Sequence, residues 1–85
     1  MLKLTILSRA VKQLANISRD DAQVIMRKLE AYAIVRDAAL DVKPLKGDKG
    51  VFRLRHGDWR AMFEIDVKRQ TLTVVDVMNR RDAYK

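Results

Sequence analysis

The stretch "VFRLRHGDWRAMFEID", residues 51–66, decides the fold. Apolar and polar side chains alternate on both sides of Gly57-Asp58, which is the period of a half-buried strand. Glycine at the first central position suits a two-residue type II′ turn, so the stretch reads as a β-hairpin. That turn sets the register: His56 faces Trp59, Arg55 faces Arg60, Leu54 faces Ala61, Arg53 faces Met62 and Phe52 faces Phe63. Opposed residues share a face, and faces alternate along a strand. Phe52, Leu54, Ala61, Phe63 and Ile65 therefore line one side. Arg53, Arg55, Arg60, Met62 and Glu64 line the other.

The remaining chain has to cover the apolar side. "TLTVVDVM" (71–78) continues the meander as a third strand, apolar enough on both sides to be interior. "LKLTILS" (2–8) is a short strand rich in β-formers, and Ser8 can cap a helix. Ala10, Val11, Leu14 and Ile17 follow at helical spacing. "SRDD" (18–21) is a second helix start: Ser18 is followed three residues later by an acid, and Asp20 and Asp21 sit near the positive end of the helix dipole. From there Ala22, Ile25, Leu29, Tyr32 and Ala33 form one apolar stripe. "RDAALDVKPLKGDKG" (36–50) is irregular, with Pro44, Gly47 and Gly50 as breakers, and reads as a connection into the sheet. The expectation is an α+β fold: an N-terminal strand and a two-helix hairpin packed on a mainly antiparallel sheet of about four strands.

At 85 residues the chain is expected to be a single domain, 1–85. It contains no cysteine, which excludes disulfides and thiolate metal sites. No apolar run approaches the ~20 residues of a membrane span, and the N-terminus does not read as a signal peptide, so a cytoplasmic location with no membrane partner is expected. The net charge is +7, spread as +4 over residues 1–50 and +3 over residues 51–85, so the excess is not a basic tail. A folded basic domain of this kind points to a polyanionic partner, nucleic acid or an acidic protein.

Like charges directly across a strand pair destabilise it, so Arg55 opposite Arg60 needs compensation. Glu64 on the same face is one candidate, as an ordinary surface ion pair. Arginine is also the side chain suited to phosphate, through its planar fork of donors. Arg53, Arg55 and Arg60, with Arg80 and Arg81 near the C-terminus, outnumber the nearby acids. A lone histidine without cysteine makes no zinc site, and no phosphate-loop or dinucleotide fingerprint is present, so no metal and no cofactor are expected. The chemistry left to such a face is cleavage of RNA through its own 2′-OH. The protein then aligns the nucleophile, accepts its proton and neutralises charge on phosphorus. Tyr84 can stack on a base or donate a proton.

"PLKG" (44–47), "FRLRHGDWRAMFEID" (52–66) and "NRRDAYK" (79–85) together resemble the RelE/ParE family of bacterial toxins from type II toxin–antitoxin systems. The resemblance implies a compact fold like the microbial ribonucleases. It also implies one of two activities: ribosome-dependent, metal-free cleavage of mRNA, which inhibits translation, or poisoning of DNA gyrase without nuclease activity. A catalytically decayed, antitoxin-bound member is a third reading. Implied partners are a cognate antitoxin and, for the nuclease, the ribosome with its mRNA and rRNA. Carried over residue by residue, Arg53 and Arg55 stand where RelE nucleases have lysines, Arg60 and Arg80 match phosphate-stabilising arginines, and Tyr84 approximates the base-stacking tyrosine. Apart from the family match, Lys43, Lys46, Lys49 and Arg81 of the basic surface are expected to supply further RNA contacts. Two departures concern the general base. Arginine, with a pKa above ~12, is a poor proton acceptor, and Asn79 stands where many members have histidine. The candidates are His56, a lysine of the 43–49 segment, and Glu64; the expected register puts His56 on the apolar face against Trp59.

Overall fold

The computed structural model describes residues 1–35, 41–45, 47 and 50–79. In chain order the elements are β1 (Lys3–Ile6), α1 (Ser8–Ala15), α2 (Arg19–Ile34), β2 (Val42–Pro44), β3 (Val51–His56), β4 (Trp59–Asp66) and β5 (Thr71–Asn79). The strands form one sheet in the order β1-β5-β4-β3-β2. β1 runs parallel to β5, and every other neighbour is antiparallel.

The hairpin has the expected register, from His56 opposite Trp59 to Phe52 opposite Phe63. Gly57 has φ +57° while Asp58 is not among the positive-φ residues, which fits a II′ turn and not a I′ turn. The expected apolar side is the core side. Leu54, Ala61 and Phe63 are buried there with Leu72 and Val74 of β5, under Ile25, Leu29, Tyr32 and Ala33 of α2 and Ala10 of α1. Tyr32 meets Phe63 edge-on at 5.5 Å between ring centroids, and Phe52 stacks on Phe63 at 5.7 Å. Each such aromatic pair contributes about 0.5–1.5 kcal/mol beyond its buried area. The helices lie on one face of the sheet, and the opposite face carries the arginines.

The sheet has a fifth strand, within the segment expected to be a connection. β2 pairs with β3, Lys43 standing opposite Arg53. It is only three residues long and ends in Pro44, which has no ladder donor and is tolerated because β2 is an edge. Gly50 then turns the chain into β3 with φ +83°, and a Cβ there would lie 3.1 Å from the Ile65 carbonyl, so glycine is required.

Two details of the helices also differ. Ser8 is the first helical residue and not the cap; Leu7 caps α1 without a side-chain bond. Its N–H is committed to the Val74 carbonyl (3.0 Å), so the chain passes straight from strand ladder into helix. Val11 is 51% exposed, since one helical step from buried Ala10 carries it to the rim of the stripe. Ser18, by contrast, caps α2 as expected, its Oγ accepting from the Asp21 N–H.

β5 contains a bulge. Met62 pairs with Asp76 and Phe63 with Val74, so Val75 is the extra residue. The bulge shifts the phase, which is why Val74 and Val77 are both buried. On the other side of β5, the pairing with β1 ends at Val74 and leaves the edge beyond it open. Gln13 of α1 fills that gap: its Oε1 accepts from the Val77 N–H (2.7 Å) and its Nε2 donates to Asp76 Oδ1 (2.6 Å). Arg9 adds an ion pair to Asp76.

Candidate nucleic-acid interface

The sheet face away from the helices gathers four cations across three adjacent strands. Lys43 on β2 stands opposite Arg53 on β3, and Arg55 on β3 stands opposite Arg60 on β4. Directly facing residues have Cβ atoms about 4.5–5.5 Å apart, a distance at which two unit charges in water repel by roughly 0.8 kcal/mol. The two guanidinium groups relieve this by turning to different partners. Arg55 reaches Asp41 at 4.0 Å and its side chain stays 56% exposed. Arg60 curls onto the hairpin end, where its Nη1 donates to the carbonyls of Gly57 (2.9 Å) and Trp59 (3.0 Å).

Arg60 is the unusual member. It is 6% exposed, and among the described residues it is the one charged side chain that is buried. No carboxylate reaches it within that set; its partners there are carbonyls. A buried charge with only dipoles around it is costly. Arg53 is half-buried and makes no hydrogen bond or ion pair among the described residues. Met62 faces Arg53 and Met78 faces Arg60, so an apolar patch lies beside the cations. Glu64 makes no ion pair with any described arginine. It stands opposite Val51 and Thr73, four residues along β4 from Arg60, about 13 Å at strand rise.

His56 is held on the other side of the sheet, toward α2. Its Nε2 lies 2.9 Å from Asp21 Oδ1. The Ser18 hydroxyl donates to Asp21 Oδ2 (2.8 Å). Ser18 first, and His56 after it, hold the Asp21 carboxyl below the ordinary carboxylate range. Lys28, seven residues along the same helix, reaches the Arg55 carbonyl at 3.4 Å. The structure thus brings together Lys43, Arg53, Arg55 and Arg60, and it does not bring His56 to them. Lys46, Lys49, Arg80, Arg81 and Tyr84 lie outside the described residues. Asp21 and Asp41 were not legible as partners of this region: Asp21 carried only a capping signal, and nothing in the sequence marks Asp41 as a neighbour of Arg55. Among the described residues no group of three or more His, Cys, Asp or Glu side chains converges.

A family model for the ParE toxin of type II toxin–antitoxin systems matches residues 4–84. The chain belongs to this family. It is a toxin of a toxin–antitoxin module, as the hairpin and the C-terminal motif implied. No curated protein matches the sequence. Among solved structures, the isolated Escherichia coli RelE toxin is similar at TM-score 0.80 and 16% identity, over 93% of this chain and 84% of that one. The RelB–RelE antitoxin–toxin complex of Methanococcus jannaschii gives a TM-score of 0.77 and 22% identity, over 94% of each chain. A YoeB/ParE toxin of Agrobacterium tumefaciens gives 0.76 and 19%, over 92% of this chain and 98% of that one. At these identities the likeness is one of fold, and the fold is the RelE-like one. No helix among the described residues is long and apolar enough to cross a membrane.

Proposed function

We propose that this ParE-family toxin is a ribosome-dependent mRNA endoribonuclease acting through the substrate's own 2′-OH. The observation that carries the reading is Arg60: a buried guanidinium with no carboxylate among the described residues, set beside three further cations on one sheet face. In the proposed step the 2′-oxygen attacks the adjacent phosphorus and loses its proton to a base. The P–O5′ bond breaks, leaving a 2′,3′-cyclic phosphate and a 5′-OH that takes up a proton. Arg60, Arg53 and, from the family motif, Arg80 neutralise the charge that builds on the non-bridging oxygens. Arg55, Lys43, Lys46, Lys49 and Arg81 hold flanking phosphates of mRNA and rRNA, and Tyr84 stacks on a base. Because His56 is turned to α2 and Glu64 lies about 13 Å along β4 from Arg60, the base is assigned to a lysine of the 43–49 segment. No metal or cofactor enters the step. Acting on ribosomes, the toxin works in the cytoplasm, and a cognate antitoxin covers the cationic face with carboxylates or carbonyls. Primer extension on a defined mRNA in a purified translation system tests this: cuts in the ribosomal A site support it, and intact mRNA refutes it.

A specific observation favours a second reading, inhibition of DNA gyrase. The matching family model is that of ParE, and the described cationic face carries no side chain that ordinarily titrates near neutrality. Accumulated gyrase–DNA cleavage complexes with intact mRNA would establish it.

A further inference from the structure

The cationic face and the helix layer meet at the hairpin end, and the contacts there form a continuous chain. Ser18 caps α2 and donates to Asp21 Oδ2. The Asp21 carboxyl is held ionised, so it can only accept, and His56 must carry a proton on Nε2 to make the 2.9 Å contact. The residue after His56 is Gly57, whose carbonyl accepts from Arg60 Nη1 at 2.9 Å. Lys28 grips the same hairpin end at the Arg55 carbonyl.

We propose that His56 is a positioning residue: its contact with Asp21 pins the Gly57 turn to the start of α2, and the pinned turn carbonyls aim the Arg60 guanidinium. A two-residue turn containing glycine is otherwise the most pliable part of a hairpin, and Arg60 donates both its described hydrogen bonds to carbonyls at that end. His56 therefore acts on the cationic face from the opposite side of the sheet, without touching a ligand there. The functional consequence rests on the nuclease reading; the positional one does not.

The test is ¹⁵N NMR of the arginine side chains in the intact protein. In the wild type, Arg60 should show resolved Nη signals from slow rotation about Nε–Cζ. In His56→Ala and in Asp21→Ala that rotation should speed up at least tenfold, and the double variant should be no faster than either single one. His56→Gln, which keeps a donor within reach of Asp21, should restore slow rotation. If a truncation fails to fold, His56→Gln against His56→Leu carries the comparison. Unchanged Arg60 signals in the variants that break the contact, or additive effects in the double variant, would overturn the proposal. Mobile Arg60 in His56→Ala, alongside a wild type that leaves mRNA intact, would uphold the clasp and refute the nuclease reading.

Discussion

Replacing Arg60 by methionine separates function from stability. The side chain is 6% exposed and is compensated by two carbonyls among the described residues. Exchanging a buried, poorly compensated charge for an apolar group of similar volume is typically neutral or stabilising by about 1–4 kcal/mol. The change also removes the cross-strand repulsion with Arg55, roughly 0.8 kcal/mol at its screened value. Against this stand two lost hydrogen bonds, about 1 kcal/mol net each, and Gly57 is exposed, so water can replace the partner at its carbonyl. With one of the two bonds replaced by water, the balance runs from no change to about 4 kcal/mol of added stability, so Tm should hold or rise. Loss of one preorganised donor at a transition-state oxyanion costs about 10²–10³ in rate. Thermal unfolding and single-turnover cleavage on stalled ribosomes, measured on the same preparation, should thus move in opposite directions or only in rate. A variant that loses several degrees of Tm, or that cleaves at the wild-type rate, would refute the argument that Arg60 is buried for function.

Further outcomes follow from the same contacts. Because the folded-state pKa of Asp21 is depressed, its contribution to stability is complete above the ordinary carboxylate pKa and is lost as pH falls through the lowered one. Denaturant melts at pH 5 down to pH 2 should show this loss, and Asp21→Asn should flatten it. Gln13→Ala leaves the Val77 N–H and part of Asp76 without partners and should cost about 1–3 kcal/mol in urea unfolding, with m unchanged. Arg53→Ala should lower the slope of log affinity for single-stranded RNA against log salt by about 0.7, since one phosphate contact is lost. A steeper or unchanged slope would place Arg53 outside the interface.

The hairpin was fully legible because a two-residue turn leaves no freedom of register, and one glycine at the right place names the turn. The core followed from it, since Leu54, Ala61 and Phe63 can only face the α2 stripe of Ile25, Leu29 and Tyr32. β2 was hidden because three residues with a proline carry no periodicity, and an edge strand needs none. The bulge at Val75 was hidden for a related reason: in a run as apolar as "LTVVDV" a one-residue phase shift leaves no polar residue visibly out of place. The cationic face was legible as a set of charges, but not as a set of environments. Sequence put Arg55 and Arg60 on one face with equal weight. Their difference in burial comes from Asp41, far off in the chain, and from the turn carbonyls, which no side-chain pattern encodes. His56 was placed on the correct face by register alone, while its partner Asp21 lies 35 residues away and announced itself only as part of a helix cap.

The most direct test of the central claim uses an mRNA carrying a single 2′-deoxy nucleotide at the position cut in the A site. The nuclease account predicts that the all-ribose message is cut there, leaving a 2′,3′-cyclic phosphate, and that the single deoxy substitution abolishes that cut. Cleavage that persists at the deoxy nucleotide, or an all-ribose message left intact while gyrase–DNA cleavage complexes accumulate, would contradict it.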